Sequence, residues 1–535
     1  MGVFQKIKDF FMRGGAKLGM TKSLSKITDD SRIAMPAKEY TRIARAKEYY
    51  ANDAKKVSFR NSYGDKRWRQ FRSLGITKMA SRRLASLIFN EQCTIAISGN
   101  KEAQALIDRV FEDNYFNLSF EDYLEKGIAL GSGCIRPYVD EHDKIKLSWA
   151  TADNVYPLNV NTNEVNEVAL AFPTMQVEHN RNIYYTLLEF HQWNPDGTYK
   201  ITNELYRSSD SNKIGNQVPL NTLEQYQGLS ETINIGSVDS NGQPTKALKK
   251  PLFAFYKNPG SNNKELISPM GLGIADNVLN IVDAINETFD GFVIEVKTGH
   301  RRIVVPKSWL MRQSDGRTRR GKSDPHPRMF DPDEIVYQAG YGDDNTIGFH
   351  DMTSDLRGDE YSGVLNDFLR QFESEVGFSP GTFTVSPSGI QTATEVVSNN
   401  SMTYQTRSSY LTMAEKTIKA LVDAILEVAQ CGQFFSDGRP RCNGDIDDVD
   451  TKVNFNDGVF VDQNQQQQMD GQAVSLGAMP LTEYIKRNYN VDDEVAQEWF
   501  EKRQQELGQP APDGEVGLYA GGDTDDNTRQ DVEEG

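Results

Sequence analysis

The sequence predicts an α+β protein, mainly α, on three observations. Two segments, 268–296 and 358–376, keep one face apolar at helical spacing. Between 135 and 206 the apolar residues recur with period two, the spacing of half-buried strands. A further helical segment, 392–432, is polar almost all round in its first half and amphipathic in its second. At 535 residues and 38% hydrophobic content, roughly three or four packed units are expected. A mean hydropathy of −0.59 implies long polar surfaces or poorly ordered segments beside those cores.

The elements follow in order. Residues 1–66 read as a basic N-terminal extension. Within it, 2–13 pattern as a short amphipathic helix, with Phe4, Ile7, Phe10 and Phe11 opposite Lys6, Lys8 and Arg13. That helix suits a membrane surface or, better given its shortness, a partner or a neighbouring subunit. Residues 14–66 are polar and low in core residues. Residues 67–90 read as an Arg-rich helix with Leu74, Ile76, Met79, Leu84, Leu87 and Ile88 as its apolar set. A helical pair covers 101–130, with Ser119 as N-cap and Asp122 at the third helical position.

Short strands follow the Gly131-Ser132-Gly133 break, at 135–139, 144–149, 155–158 and 165–172. Strands 184–193 and 198–206 flank Asn194-Pro195-Asp196-Gly197, a hairpin signal because Pro presets φ and Gly tolerates positive φ. Residues 208–248 read as a Ser/Asn/Gly-rich surface loop and 252–256 as one more strand. Together 67–267 form a unit of helices and antiparallel strands.

Ser268-Pro269 has the N-cap and first-position pattern of a helix. Ile274, Val278, Ile281, Ile285 and Phe289 continue its apolar face to Gly299. Strands and turns fill 297–357. The next helix, 358–376, places Tyr361, Val364, Leu365, Phe368, Leu369, Phe372 and Val376 on one face and stops at Gly377. A Pro/Gly-containing loop covers 377–391. Thr392-Ala393-Thr394-Glu395 has the capping-box spacing that opens the long helix. A helix polar on every side, as at 398–409, suits a water-filled channel or a gap between domains. Residues 433–507 hold an acidic linker, a glutamine run and helices at 469–477 and 482–506. The tail, 508–535, reads as acidic and disordered.

Net charge is −17, unevenly distributed. Residues 1–93 carry 21 Lys/Arg against 8 Asp/Glu, so the rest of the chain carries −30. Residues 296–328 form a second basic zone, 10 against 2. A general DNA binder is basic over one broad face; this chain is an acidic body with basic docking zones. Four cysteines without a CxxC pair fit a reducing compartment. No apolar run reaches the roughly 18 residues of a membrane span, and no signal-peptide pattern opens the chain.

Residues 316–323, GRTRRGKS, match the P-loop pattern letter for letter. A working P-loop needs a buried strand before it and a helix after it. Here polar residues precede it, and Pro325 and Pro327 follow at once, so the match is read as an exposed basic loop. No zinc, calcium, nucleophile-elbow or dinucleotide pattern stands out, which argues against an enzyme and against a cofactor or metal.

The order of segments resembles the portal proteins of tailed bacteriophages, particularly those infecting Gram-positive hosts. The resembling stretches are IALGSGCIRPYVDEHDKIKLSWATADNVYPL (128–158), PLFAFYKNP (251–259) with SPMGLGIADNVLNIVDAINETFD (268–290), VGFSPGTFTVSPSGIQTATEVV (376–397), and FNDGVFVDQNQQQQ with SLGAMPLTEYI (455–468 and 475–485). They span about 70–500. The resemblance implies a portal-type subunit: a β-containing wing at 67–267, stem helices at 268–296 and 358–376, and a small α/β clip at 297–357. A tunnel loop at 377–391, a long wing/tunnel helix at 392–432 and a helical crown at 433–507 complete it.

It further implies a homo-oligomeric, dodecameric ring at one capsid vertex of the virion, assembled in the host cytoplasm, with double-stranded DNA passing through without tight binding. The terminase, the head–tail adaptor and the major capsid and scaffold proteins are the implied partners, with no membrane among them. Under this reading Thr382, Thr384, Ser386, Ser388 and Gln391 face the DNA from the tunnel loop. Arg312, Arg317, Arg319, Arg320 and Lys322 form a basic collar on the clip for terminase, connector or DNA. Ile274, Val278, Ile281, Ile285, Phe289, Val364, Phe368 and Phe372 pack stem helices between subunits. The alternatives are another capsid or connector protein without a DNA channel, and a P-loop packaging ATPase.

Overall fold

A computed structural model describes residues 22–508 except 54, 61–64, 91–92, 160–163, 237–246, 299–302, 307–336, 341–349, 352–354, 385–400, 444–448, 456–462, 490 and 492. The described residues divide into two units, one ending at Asn456 and one beginning at Asp457. Helix and strand alternate through the first and helix alone makes the second, so the α+β class holds.

The chain enters through β1 (Ser23–Leu24) and α1 (Ala37–Ala51). A hairpin, β2 (Lys56–Arg60) with β3 (Lys66–Gln70), comes next, followed by α2 (Ile76–Ile88), β4 (Thr94–Ser98), α3 (Lys101–Asp113) and α4 (Phe116–Leu130). Two sequence expectations change here. The Arg-rich stretch expected to open a helix at 67 is strand as far as Gln70, and the helix begins only at Ile76, after Gly75 at φ +65°. Nor is 14–66 poor in core: Leu24, Ile27, Ile33, Met35, Ile43 and Ala46 are buried against Tyr156, Ala171, Leu188 and Phe190 of the sheet below.

Helix α3 is capped by Asn100, whose side chain accepts from Glu102 N (2.9 Å) and Ala103 N (3.2 Å). Helix α4 begins at Phe116, so Ser119 lies within its first turn rather than at its cap. The earlier start buries Phe116, which stacks on Phe111 with ring centroids 4.2 Å apart. It leaves Tyr115 in the left-handed region at φ +48°.

The middle of the first unit is antiparallel sheet. Strands β5 (Ser132–Val139) and β6 (Ile145–Thr151) pair with each other, and β13 (Ala254–Lys257) pairs with β5. A larger sheet runs β1-β11-β10-β9-β8-β7, with β12 also on β10. Its strands are β7 (Val155–Pro157), β8 (Val168–Glu178), β9 (Arg181–Trp193), β10 (Tyr199–Ser208), β11 (Gly215–Val218) and β12 (Thr232–Ile235). The Asn194–Gly197 turn joins β9 to β10 as expected, with Gly197 at φ +83° and Gly197 N donating to Asn194 O at 3.0 Å. The 208–248 stretch departs from the expected loop: β11 and β12 lie in it, each pairing with β10.

Two long helices, α5 (Leu279–Thr298) and α6 (Gly358–Val376), bracket β14 (Ile303–Pro306), β15 (Tyr337–Gly340) and β16 (His350–Asp351). Strand β14 pairs parallel to β15 and antiparallel to β16. Helix α7 (Ser401–Gln430) runs through the largest core, burying Ala414, Ile418, Leu421, Val422, Ile425 and Leu426. Strand β17 (Asp450–Asn454) then returns to pair with β4.

The second unit holds α8 (Gln463–Ser475), α9 (Leu481–Tyr489) and α10 (Asp493–Gly508). Ile485 and Ala496 are buried, Tyr489 meets Trp499 edge-on at 5.7 Å, and Asn488 donates to Asp470 at 3.0 Å. The expected single helix over 482–506 is broken into α9 and α10.

Candidate functional site

The geometry that bears on function is the pair α5 and α6 and what holds each end of it. The pair starts at a backbone crossing. A Cβ on Gly271 would lie 2.4 Å from Gly131 O, and one on Gly273 2.2 Å from Ala129 O. Only glycine admits such an approach, and Gly131 itself sits at φ +95°. This crossing explains why the helix expected from Ser268-Pro269 starts about ten residues later, at Leu279. Ser268 caps locally instead, accepting from Met270 N at 3.1 Å.

A buried polar cluster holds the crossing. Arg42 of α1 donates to Glu39 (2.8 Å), to Gly271 O (3.0 Å) and to Asp276. Glu39 also accepts from Asn262 (2.9 Å) and Ser268 (3.1 Å), and Asp276 from Gly273 N (2.6 Å). Burial pushes the Asp276 carboxyl up, against the pull of Arg42. Burial works against the Arg42 guanidinium, yet its two carboxylate neighbours raise it further. Buried charge survives only when paired and hydrogen-bonded in this way.

One face of α5 is then fixed by the N-terminal elements. Tyr49 donates to Asp283 (2.7 Å), Leu74 N to Asn286 (3.1 Å), and Arg69 grips Asp290 with two bonds of 2.7 and 2.6 Å. Arg72 N adds a bond to Asp290 at 3.0 Å. Burial raises the Asp290 carboxyl, but these donors outweigh it and hold the group below the usual range. The opposite face of α5 meets α6: Phe292 packs on Tyr361 with centroids 5.5 Å apart, and Arg357 donates to Glu295 at 2.7 and 3.1 Å.

Helix α6 ends at Gly377, φ +86°, and the chain folds back over Glu373. The buried Glu373 carboxyl accepts from Phe383 N (2.5 Å), Thr384 N (3.0 Å) and Gly381 N (3.3 Å). Thr403 at the start of α7 clasps Ser379, donating from its N to Ser379 Oγ (3.1 Å) and accepting from Ser379 N (2.8 Å). Further along, Arg407 Nε donates to Leu87 O at 2.5 Å. The polar first half of α7 is therefore partly buried, with Thr403, Arg407 and Tyr410 inside, and its hydroxyls and guanidinium bond neighbouring backbone. That corrects the reading of a helix bathed in water on every side.

The residues singled out from the sequence fall into three groups. Ile274, Val278, Ile281, Ile285 and Phe372 sit in or against the subunit's own main core, with Ile285 and Phe372 fully enclosed. Val278, Ile281, Ile285 and Phe372 are thus covered within the chain, while Ile274 is only partly buried. Phe368 packs partly buried against the same core and Phe289 is half-buried, while Val364 is 47% exposed. Thr384 is buried in the Glu373 turn, and Thr382 donates to Ser379 O at 2.6 Å, so neither hydroxyl projects freely from the loop. Ser386, Ser388, Gln391 and the 392–395 capping box lie outside the described residues. So do Arg312, Arg317, Arg319, Arg320, Lys322, the whole P-loop-like segment, the 2–13 amphipathic stretch and the acidic tail from 509.

Among the described residues no group of His, Cys, Asp or Glu is placed to hold a metal. No helix among them is long and apolar enough to cross a membrane. A Tyr199–His191–Glu189 relay has relay-like spacing, 3.0 and 2.7 Å, but all three side chains are buried within the sheet and offer no substrate a way in. What the sequence missed is the use made of residues 23–74, whose Arg42 holds the crossing ahead of α5 and whose Tyr49 and Arg69 clamp α5 itself. Their partners lie more than 200 positions away, and nothing in local periodicity reports such contacts.

No curated protein matches the chain. The family model described as phage portal protein, SPP1 Gp6-like, matches residues 32–509. That span takes in α1, the hairpin, both long helices and α7 as well as most of the second unit, and it places the chain in the SPP1 Gp6-like family of phage portal proteins.

Proposed function

We propose that the chain assembles as a ring at one capsid vertex, through which double-stranded DNA is packaged, retained and ejected. The observation that carries this is the family membership over 32–509. In this reading α5 and α6 are the stem, and the segment between them, basic over 296–328, is the clip that docks terminase during packaging and the head–tail adaptor afterwards. The turn knotted on Glu373 gives the following loop a rigid root, as a loop that guides moving DNA needs. Residues 385–391 beyond it are the part proposed to meet DNA, with Ser386, Ser388 and Gln391 as uncharged polar contacts. A conduit that neutralised many phosphates would hold its cargo, because each contact adds affinity. The dodecameric count is part of the proposal.

The test is in vitro packaging into shells assembled with the chain. Replacing 385–391 with a Gly/Ser linker of equal length should leave shells intact and lower the retained DNA. Unchanged retention would remove the loop from the DNA path, and shells that fill equally well without the chain would remove the portal role.

A further inference from the structure

Ile285 and Phe372 are enclosed in the chain's own core, whereas Val364 of α6 is 47% exposed, so part of the stem stays open to a contact between subunits. The β2–β3 ribbon and α6 occupy different flanks of α5. Asp290 faces the ribbon through Arg69, with Asp283 and Asn286 on the same side meeting Tyr49 of α1 and Leu74, while Gly291, Phe292 and Glu295 face α6. At 3.6 residues per turn the two sets point about 150° apart.

The ribbon has two faces, set by its register: Ser58 opposes Trp68, Arg60 opposes Lys66, and Lys56 opposes Gln70. Arg69 belongs to the other face and is the residue tied to Asp290. The outward face is exposed at all six positions, contains no acid, and centres on Trp68, 61% exposed with Lys66 Nζ 4.9 Å above its ring. On α6, Glu360, Val364, Asp367 and Glu375 are exposed at spacings that bring them onto one side of the helix, with Arg370 pairing weakly to Asp367 at 3.7 Å.

A closed ring is built from heterologous contacts in which one flank of a subunit meets the other flank of the next. We infer that the outward face of the β2–β3 ribbon docks on the acidic side of α6 of a second copy of this chain. The charges are opposite, and they are the local form of the imbalance between +13 over residues 1–93 and −30 in the remainder. Trp68 and the exposed Val364 supply the apolar centre that such a charged contact needs, aromatic residues with basic neighbours being frequent anchors of interfaces. The Arg69–Asp290 grip fixes the ribbon against α5, so little order has to be gained on docking. The inference rests on the ring proposed above.

The test uses the full chain and counts rings by mass photometry and electron microscopy at about 0.15 M salt. The triple reversal Lys56→Glu, Arg60→Glu, Lys66→Glu should lower the ring fraction at least tenfold, and so should Glu360→Lys, Asp367→Lys, Glu375→Lys. Mixing the two variants should restore rings of alternating subunits, which also shows that each still folds. Both triple variants assembling like the parent chain would overturn the docking while leaving the ring intact. So would a mixture that stays unassembled, or a ribbon variant that forms rings but loses binding to DNA or to shell protein. A parent chain that forms no ring would instead defeat the ring reading itself, and the docking with it.

Discussion

Glu373 offers the sharpest local perturbation. Its buried carboxyl is the acceptor for three backbone N–H groups, of Phe383, Thr384 and Gly381, and lies 3.3–3.4 Å from the Thr384 hydroxyl. Replacing it with Ala leaves those donors without their partner at a fully buried position. At roughly 1 kcal/mol net per bond, the turn should lose about 3 kcal/mol of local stability. Gln keeps one oxygen for Phe383 and Thr384 and loses the acceptor facing Gly381, so Glu373→Gln should cost about 1 kcal/mol. Native-state hydrogen exchange reads this at the amides concerned. Exchange at Phe383 and Thr384 should rise by roughly two orders of magnitude in the Ala variant and five- to tenfold in the Gln variant, with α5 unchanged. Equal protection in all three proteins would refute the assignment of Glu373 as the anchor of the loop.

Gly271→Ala should abolish soluble expression or lower the melting temperature by many degrees, since its Cβ would meet Gly131 O at 2.4 Å with backbone on both sides; a variant melting like the parent would disprove the tight crossing. Asp290 is held below its ordinary value, so its pairing with Arg69 contributes stability that is complete above about pH 4 and fades as pH falls through the lowered value. The protection factor of residues 66–72, hydrogen exchange corrected for its intrinsic pH dependence, should therefore fall on acidification in the parent chain and be nearly independent of pH over that window in Asp290→Asn. Arg407→Met should loosen the start of α7 from Leu87 by about 1–2 kcal/mol, read as faster exchange over 403–410. Lys322→Ala should leave nucleotide hydrolysis at the background of buffer, and a Lys322-dependent ATPase would restore the P-loop reading of 316–323.

The sequence made some features legible and hid others for definite reasons. The β9–β10 hairpin and the α3–α4 pair were visible because their signals are local: a Pro-Asp-Gly turn, an alternation, a 3.6-residue stripe. The end of α6 at Gly377 was visible for the same reason. The start of α5 was misplaced because Ser268-Pro269 is a sound cap signal, overruled by the crossing of Gly271 with Gly131 and of Gly273 with Ala129, contacts across about 140 positions. Strand β4 went unnoticed because its partner, β17, begins some 350 residues later. The apolar stripes of α5 and α6 are legible, but periodicity says only that a face calls for cover, and Val364 on the α6 stripe is 47% exposed. Whether a core or a neighbour covers it is a tertiary fact, and here the core does for Ile285 and Phe372. Polarity misled in the first half of α7 for the converse reason: Thr403 and Arg407 are buried because backbone groups of Ser379 and Leu87 stand ready to bond them.

The central claim is tested most directly by electron microscopy of the purified full-length chain with two-dimensional class averages. Rings of high rotational symmetry with an open central hole are the expected result. A monomer or compact dimer at every salt and protein concentration would contradict the claim, because a portal without a ring has no channel.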